Sequence, residues 1–196
     1  MKVSHRGKQY ILLVVAILST TACFAVTALL SCQPVEQPLK EGEVALTVSS
    51  PAFREGDKIP GKYTCEGEDV SPELNWSEPP KGTGSFVLIV DDPDAPGGVF
   101  THWVLFNLAA DSRVLLEAVP AQGQLPNGSL QGKNDFGRIG YAGPCPPPGR
   151  SHRYQFTLYS LDRPLDLKFG VSKNQVLDAI RGHILAQGGL TGTYQR

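Results

Sequence analysis

Residues 85–108 read SFVLIVDDPDAPGGVFTHWVLFNL, and their pattern decides the fold. Ser85–Asp91 is an unbroken apolar run, as expected of a central strand buried on both faces. His102–Leu108 is a second strand, rich in aromatic and branched residues. Pro93–Gly98 between them is dense in proline and glycine, which cannot run through a central strand, so it is a loop.

Working outward, Val44–Ser49 alternates apolar with polar residues, and Arg153–Leu161 repeats the aromatic and branched composition of a strand. Ser77–Gly84, Gly123–Gly132 and Gly137–Gly149 carry too much glycine and proline to be strands and are expected as loops. One helix is expected. Ser172 stands as N-cap with Gln175 three residues on, a capping box, and Val171 and Val176 occupy the positions of a hydrophobic staple. Val176, Leu177, Ile180 and Ile184 mark its apolar face, Gly188-Gly189 end it, and Leu190–Tyr194 forms a short closing strand. The chain is therefore read as mainly β with a C-terminal helix.

The first 31 of the 196 residues belong to no fold. Lys2, Arg6 and Lys8 precede an apolar run from Tyr10 to Ser31, the layout of a secretory signal peptide. The run is also long enough to span a bilayer as an uncleaved helix. Leu29-Leu30-Ser31-Cys32 resembles a bacterial lipobox, with cleavage before Cys32 and lipid attached to it. Either way the domain lies outside the cytoplasm, tethered to a membrane in the cell envelope. Residues 32–43 follow as a polar linker with two prolines, and residues 44–196 have the size of one domain with one core.

Without residues 1–31, 15 basic residues face 19 acidic ones, a net charge of −4. This argues against nucleic acid and against electrostatic docking on anionic lipid, so membrane attachment falls to the N-terminus. Cys23 lies within the signal and Cys32 is the lipidation candidate, which leaves Cys65 and Cys145. An even pair in an oxidising compartment favours a disulfide over two thiols buried separately.

Two of the three remaining histidines, His102 and His152, stand beside the loops rich in glycine and proline. Loops at strand ends on a rigid sheet are where binding residues usually sit. DDPDAP followed by FTHWVLFN, and GPCPPPGRSHRY further on, resemble the two signature blocks of the phosphatidylethanolamine-binding proteins, in particular their bacterial, Raf-kinase-inhibitor-like branch. The resemblance continues through residues 62–76, 133–141 and 182–194 and covers nearly everything from Val44 on. It implies an antiparallel β-sandwich-like fold with a small pocket for phosphate-like or carboxylate-like anions. It implies these roles: Asp92 as pocket aspartate, Pro96 as wall, His102 and His152 as pocket histidines, and Tyr154 as pocket tyrosine. Gly143 and Pro144 match the loop that offers a backbone amide and an apolar wall. Phe100 falls where many members have an aromatic residue, often Trp. By alternation with His152 and Tyr154, Arg153 is expected to turn away toward a structural carboxylate, with Asp94 pinning the DPDAP turn.

The residue types support this chemistry unaided. A carboxylate on one imidazole nitrogen fixes the tautomer, and two imidazoles with a tyrosine hydroxyl can surround an oxyanion with hydrogen-bond donors. Asp92, His102 and His152 also form a two-His, one-carboxylate set in principle, but their spacing matches no metal motif, and no metal or other cofactor is expected. His183 is expected as a structural histidine on the helix. No G-x-S-x-G elbow, P-loop or dinucleotide fingerprint occurs, so the chain is read as a binding protein and not an enzyme. The enzyme alternative is weak esterase or phosphodiesterase chemistry with an Asp–His general base. The binding alternative is a protein-interaction module that inhibits or regulates a partner enzyme, such as a kinase or protease.

The anchor is tested in growing bacteria with radioactive palmitate. Wild type should take up label, and Cys32→Ala should remain an unlabelled precursor that keeps residues 1–31. Unlabelled wild type retaining those residues would support the membrane-helix alternative.

Overall fold

The structure is a computed structural model and describes residues 44–196. The expected signal peptide with its lipobox at Cys32, and the linker after it, lie outside the described residues.

The apolar run forms β4 (Ser85–Asp92), at the centre of a six-stranded sheet. On one side it pairs antiparallel with β5 (Phe100–Ala109), which in turn carries β7 (Leu130–Gln131). On the other it pairs antiparallel with β8 (His152–Leu161), followed by β9 (Ile184–Tyr194) and, parallel to that, β1 (Val44–Ala45). A smaller sheet holds β2 (Val48–Ser49), β3 (Leu74–Trp76) and β6 (Val114–Leu115). Phe86, Leu88 and Val90 of β4 join Trp103, Leu105, Tyr154, Phe156 and Leu158 in a core with Val48, Leu74, Trp76 and Leu115 of the smaller sheet. Val87 and Ile89 point the other way, into a second cluster with Val104, Phe106, Val176 and Ile180. The unbroken apolar run thus reflects burial on both faces.

Several details depart from the sequence-based expectation. Val44–Ser49 is split between two sheets, as β1 and β2. β7 lies inside the stretch expected as the Gly123–Gly132 loop. The helix α1 (Lys173–Ala179) has the expected capping box at Ser172 and Gln175 but is only seven residues long. Ile180 is its C-cap, and Gly182 at φ +80° takes a backbone conformation open to glycine and poorly tolerated by other residues. Ile184 therefore begins β9, an eleven-residue strand in place of the short closing one, and Gly188 and Gly189 lie in mid-strand, the Leu46 chain passing close over Gly188. His183, expected on the helix, sits in the turn before β9, its Nδ1 3.0 Å from Asp162 Oδ1. Val171 and Val176 pack into the same cluster, which ties the helix start to the back of the sheet.

Cys65 and Cys145 form a disulfide across 80 residues of sequence, with Cα atoms 5.4 Å apart. It fastens the segment after the short 3₁₀ turn Gly61–Tyr63 to the proline-rich segment before β8. Closing a loop of that length removes chain entropy from the unfolded state, worth up to about 4 kcal/mol. Reduction, or Cys65→Ser with Cys145→Ser, should lower thermal stability accordingly. An unchanged melting temperature would show that the bridge carries no stability.

Candidate functional site

Three strands bring the candidate residues to one end of the sandwich core. Asp92 ends β4, His102 lies near the start of β5, and β8 opens with His152 and carries Tyr154 two residues later. The β4–β5 register explains how His102 gets there. Val90 pairs with Trp103 and Asp91 with Thr101, so His102 is an extra residue in a β-bulge. In a regular strand His102 would share the helix-side face with Val104. The bulge re-aims it, and its ring meets that of Tyr154 at 5.1 Å, nearly perpendicular.

All four side chains are buried, at 1–3% exposure, so each polar atom needs a partner. His152 Nδ1 donates to Asp92 Oδ2 at 2.7 Å, and Asp92 Oδ1 accepts the Asp94 amide at 2.8 Å. His102 Nδ1 lies 2.6 Å from the Ala142 carbonyl, to which it can only donate. Burial lowers the pKa of His102 below the usual imidazole value, opposed by the Ala142 hydrogen bond and then by the Asp92 charge. Both rings therefore turn Nδ1–H to protein acceptors, and neither Nε2 is hydrogen-bonded to any described residue. The Tyr154 hydroxyl is buried with no partner. Burial first, and the Asp92 charge second, push its ionisation far above the usual phenol range, which keeps it a donor.

The structure shows what holds each of these groups. Asp92 orients His152 only; His102 is held by a backbone carbonyl instead. The Gly143 amide, expected to be offered to the anion, donates to Asp69 Oδ1 at 2.6 Å. Gly143 is needed for packing, because a Cβ there would lie 2.3 Å from the Tyr63 carbonyl oxygen. Pro144 is buried, and its carbonyl accepts from the Cys65 amide, while Pro96 lies exposed in the loop after β4. Arg153 turns outward and binds both carboxylate oxygens of Asp94, at 2.9 and 2.8 Å. This pairing depresses the Asp94 pKa to about 2.

Phe136 is a neighbour that the sequence reading did not single out. Its ring packs edge-on against Phe100 at 4.7 Å and His102 at 5.6 Å, and it remains 45% exposed. Asn134 builds the loop that presents it, its Oδ1 accepting the Phe136 and Arg138 amides and its Nδ2 donating to the Gly140 carbonyl. The only signal in the sequence was a large apolar residue within the polar KNDFGRIGY block. A cleft of about 320 Å³ lined by Val99, Thr101, Asp135, Ser172, Lys173 and Asn174 lies beside the start of β5, and no candidate residue lines it. Among the described residues no three His, Cys, Asp or Glu side chains converge as metal ligands.

An antiparallel sandwich with a polar cluster at one end of its core is the architecture of a known class of binding proteins. The chain belongs to the phosphatidylethanolamine-binding protein family, whose sequence model matches residues 49–195. The UPF0098 protein of Methanothermobacter thermautotrophicus is 52% identical over 151 residues, which cover 77% of this chain and 99% of that one. A Mycobacterium tuberculosis relative that bears the word lipoprotein in its name, LppC, is 42% identical over 151 residues, covering 76% of this chain and 72% of its own. Among solved structures, a Chlamydia trachomatis homologue of phosphatidylethanolamine-binding protein superimposes with a TM-score of 0.71 at 42% identity, over 78% of this chain and 98% of that one. Escherichia coli YbcL, described as a member of the mammalian family, gives 0.73 at 32% identity, over 78% and 99%.

Because His102 has a lowered pKa in the folded state, the unfolded chain takes up that proton first. Its share of stability is fully present above the ordinary value of 6.5 and is lost as pH falls below it. Melting temperatures measured from about pH 8 down to about pH 5 should fall with acid. The profile of His102→Gln, which cannot titrate, should be flatter across that window; identical slopes would refute the assignment.

Proposed function

We propose that this protein binds a small anion, a phosphate- or carboxylate-bearing head group, at the joint end of β4, β5 and β8. The domain is exported and tethered to a membrane through Cys32. The observation that carries the reading is the Tyr154 hydroxyl, a buried donor without a partner beside the Asp92–His152 pair. Leaving such a group unsatisfied costs about 1–3 kcal/mol, a penalty that an incoming oxyanion removes. A proton arriving on His152 Nε2, with Asp92 as counter-ion, makes that ring a charge-assisted donor to the same anion.

Binding is favoured over catalysis because no hydroxyl or thiol nucleophile is hydrogen-bonded to either imidazole among the described residues. Tyr154, held protonated, serves as a donor and is a poor nucleophile. Three observations support the tether: the lipobox-like residues 29–32, the relative called a lipoprotein, and the net negative charge that disfavours direct docking on anionic lipid. Among the described residues no helix is long and apolar enough to cross a membrane.

Calorimetric titration with phosphorylethanolamine, beside a thermal melt of each variant, tests the pocket. A hydrogen bond to a charged partner is worth about 1.5–3 kcal/mol, so His152→Ala should weaken binding about ten- to a hundredfold. Tyr154→Phe should weaken it in the same range yet melt no lower than wild type, since it removes an unsatisfied hydroxyl. Arg153→Ala, whose side chain faces outward, should cost stability more than affinity. The proposal fails if His152→Ala and Tyr154→Phe both bind as tightly as wild type.

A further inference from the structure

We propose that the Cys65–Cys145 bridge is a site of thiol–disulfide exchange, opened at Cys65 by a dithiol oxidoreductase while the protein stays folded, and that its state adjusts the wall of the polar cluster. The exchange chemistry does not depend on the anion-pocket reading. Three features carry it: access to one sulfur, a cation beside the other, and a wall that keeps its place when the bridge opens.

Exposed disulfides are the exchangeable ones. Cys65 is exposed and Cys145 half-buried, so a reductant approaches from the Cys65 side. Arg196 stands on the other side. Its Nη1 lies 3.9 Å from Cys145 Sγ, and its Nε donates to Glu66 Oε1 at 3.3 Å. Glu66 is itself held by the Tyr194 hydroxyl, which donates to its second oxygen. The guanidinium is thus aimed at Cys145, where a positive charge stabilises a thiolate and makes that sulfur the better leaving group. The attacking thiolate bonds to Cys65 Sγ, the Sγ–Sγ bond breaks, and its electron pair leaves with Cys145 Sγ, which takes up a proton. The reductant's second thiol then loses its proton and attacks the mixed disulfide. Cys65 is released, takes up a proton, and the reductant departs as its own disulfide.

Opening the bridge does not release the wall. The Tyr141 hydroxyl donates to the Tyr63 carbonyl at 2.8 Å, the Gly143 amide to Asp69 Oδ1 at 2.6 Å, and the Cys65 amide to the Pro144 carbonyl at 3.1 Å. These bonds keep the two thiols opposite one another, so reduction stays within the native fold and reoxidation finds them in place. Beyond Cys145 the ties thin out. Pro146, Pro147 and Pro148 have no N–H, and the next backbone amide to donate to backbone among the described residues is that of Gly149, to the Arg196 carbonyl at 3.4 Å. Cys145 also adjoins the site. Burial first, and the Asp92 charge next, raise the Tyr154 pKa, and the Cys145 amide lies near enough to that hydroxyl to work against them. Reduction frees Cys145 to shift against Tyr154, which connects the bridge to the cluster.

The folded full chain is treated without denaturant with dithiothreitol and, separately, with reduced thioredoxin. Thiols are trapped with maleimide and mapped by mass spectrometry. Cys65 and Cys145 should both label, faster than global unfolding measured alongside. A bridge that opens only as fast as the chain unfolds overturns the proposal. With glutathione as a monothiol, the trapped mixed disulfide should sit on Cys65, and one found on Cys145 is equally fatal. Arg196→Gln should slow reduction about three- to tenfold with little change in melting, and Arg196→Lys should recover most of the rate. An Arg196→Gln rate equal to wild type removes the role assigned to the cation and overturns the proposal. Followed by NMR without ligand, the His102 and His152 ring resonances should move on reduction and return on reoxidation, with His183 as the unmoved reference. Rings that stay still sever the bridge from the site and overturn the proposal. Phosphorylethanolamine titrated into both forms separates the two readings. Binding about three- to tenfold weaker in the reduced form, the range of one hydrogen bond lost, supports both. Rings that move while neither form binds sink the anion pocket and leave the bridge standing.

Discussion

β4 buries both of its faces, and the remaining elements are placed by that demand. Phe86, Leu88 and Val90 need the smaller sheet over them, and Val87 and Ile89 need the helix and the second cluster behind them. At about 25 cal/mol per Å² of apolar surface, each of these side chains contributes on the order of 2 kcal/mol when fully buried. A one-residue slip would exchange the two faces, and each set of side chains would then meet the cluster built to fit the other. Fixing β4 also fixes its last residue, Asp92, at the end of the sandwich core, beside the first residues of β5 and β8.

A carboxylate at such a position is tolerated only if both oxygens are satisfied, since an unpaired buried charge costs several kcal/mol. Asp92 meets this condition locally, through the Asp94 amide, and across the sheet, through His152. The first contact folds the DPDAP turn and the second locks the start of β8. Arg153, one residue on, faces the other way and grips Asp94, so the same turn is held from both sides of the strand. The polar cluster is thus a consequence of how the strand ends are joined, whatever it binds.

The large strands and the capping box were legible because they obey local rules: an unbroken apolar run, aromatic and branched alternation, and Ser172 three residues before Gln175. The length of the helix was not. Val176, Leu177, Ile180 and Ile184 do share a helical face, but nothing local reveals that Ile184 gains more by pairing with Leu161 in a strand. The candidate residues were found through the family resemblance, yet their partners were hidden. His102 reaches the site only through a bulge, and a bulge is a property of two strands in register. The commitment of the Gly143 amide to Asp69 depends on a chain 74 residues away. Phe136, alone in a polar loop, shows its purpose only when Phe100 and His102 lie beside it.

The rigidity of the walls also bears on how large a ligand can be. The His102 ring is held by the Ala142 carbonyl, the Gly143 amide by Asp69, the Pro144 carbonyl by the Cys65 amide, and Cys145 by its disulfide. Four consecutive residues of one wall are therefore committed before any ligand arrives, and little ordering entropy remains to be lost on binding. The same commitments remove polar atoms from the ligand's reach. Two imidazole nitrogens and one phenol hydroxyl stay open, enough to surround a single oxyanion group and too few to read an extended polar molecule. On the anion-pocket reading proposed above, contact beyond that group would fall to exposed neighbours such as Phe136, over which Arg138 lies.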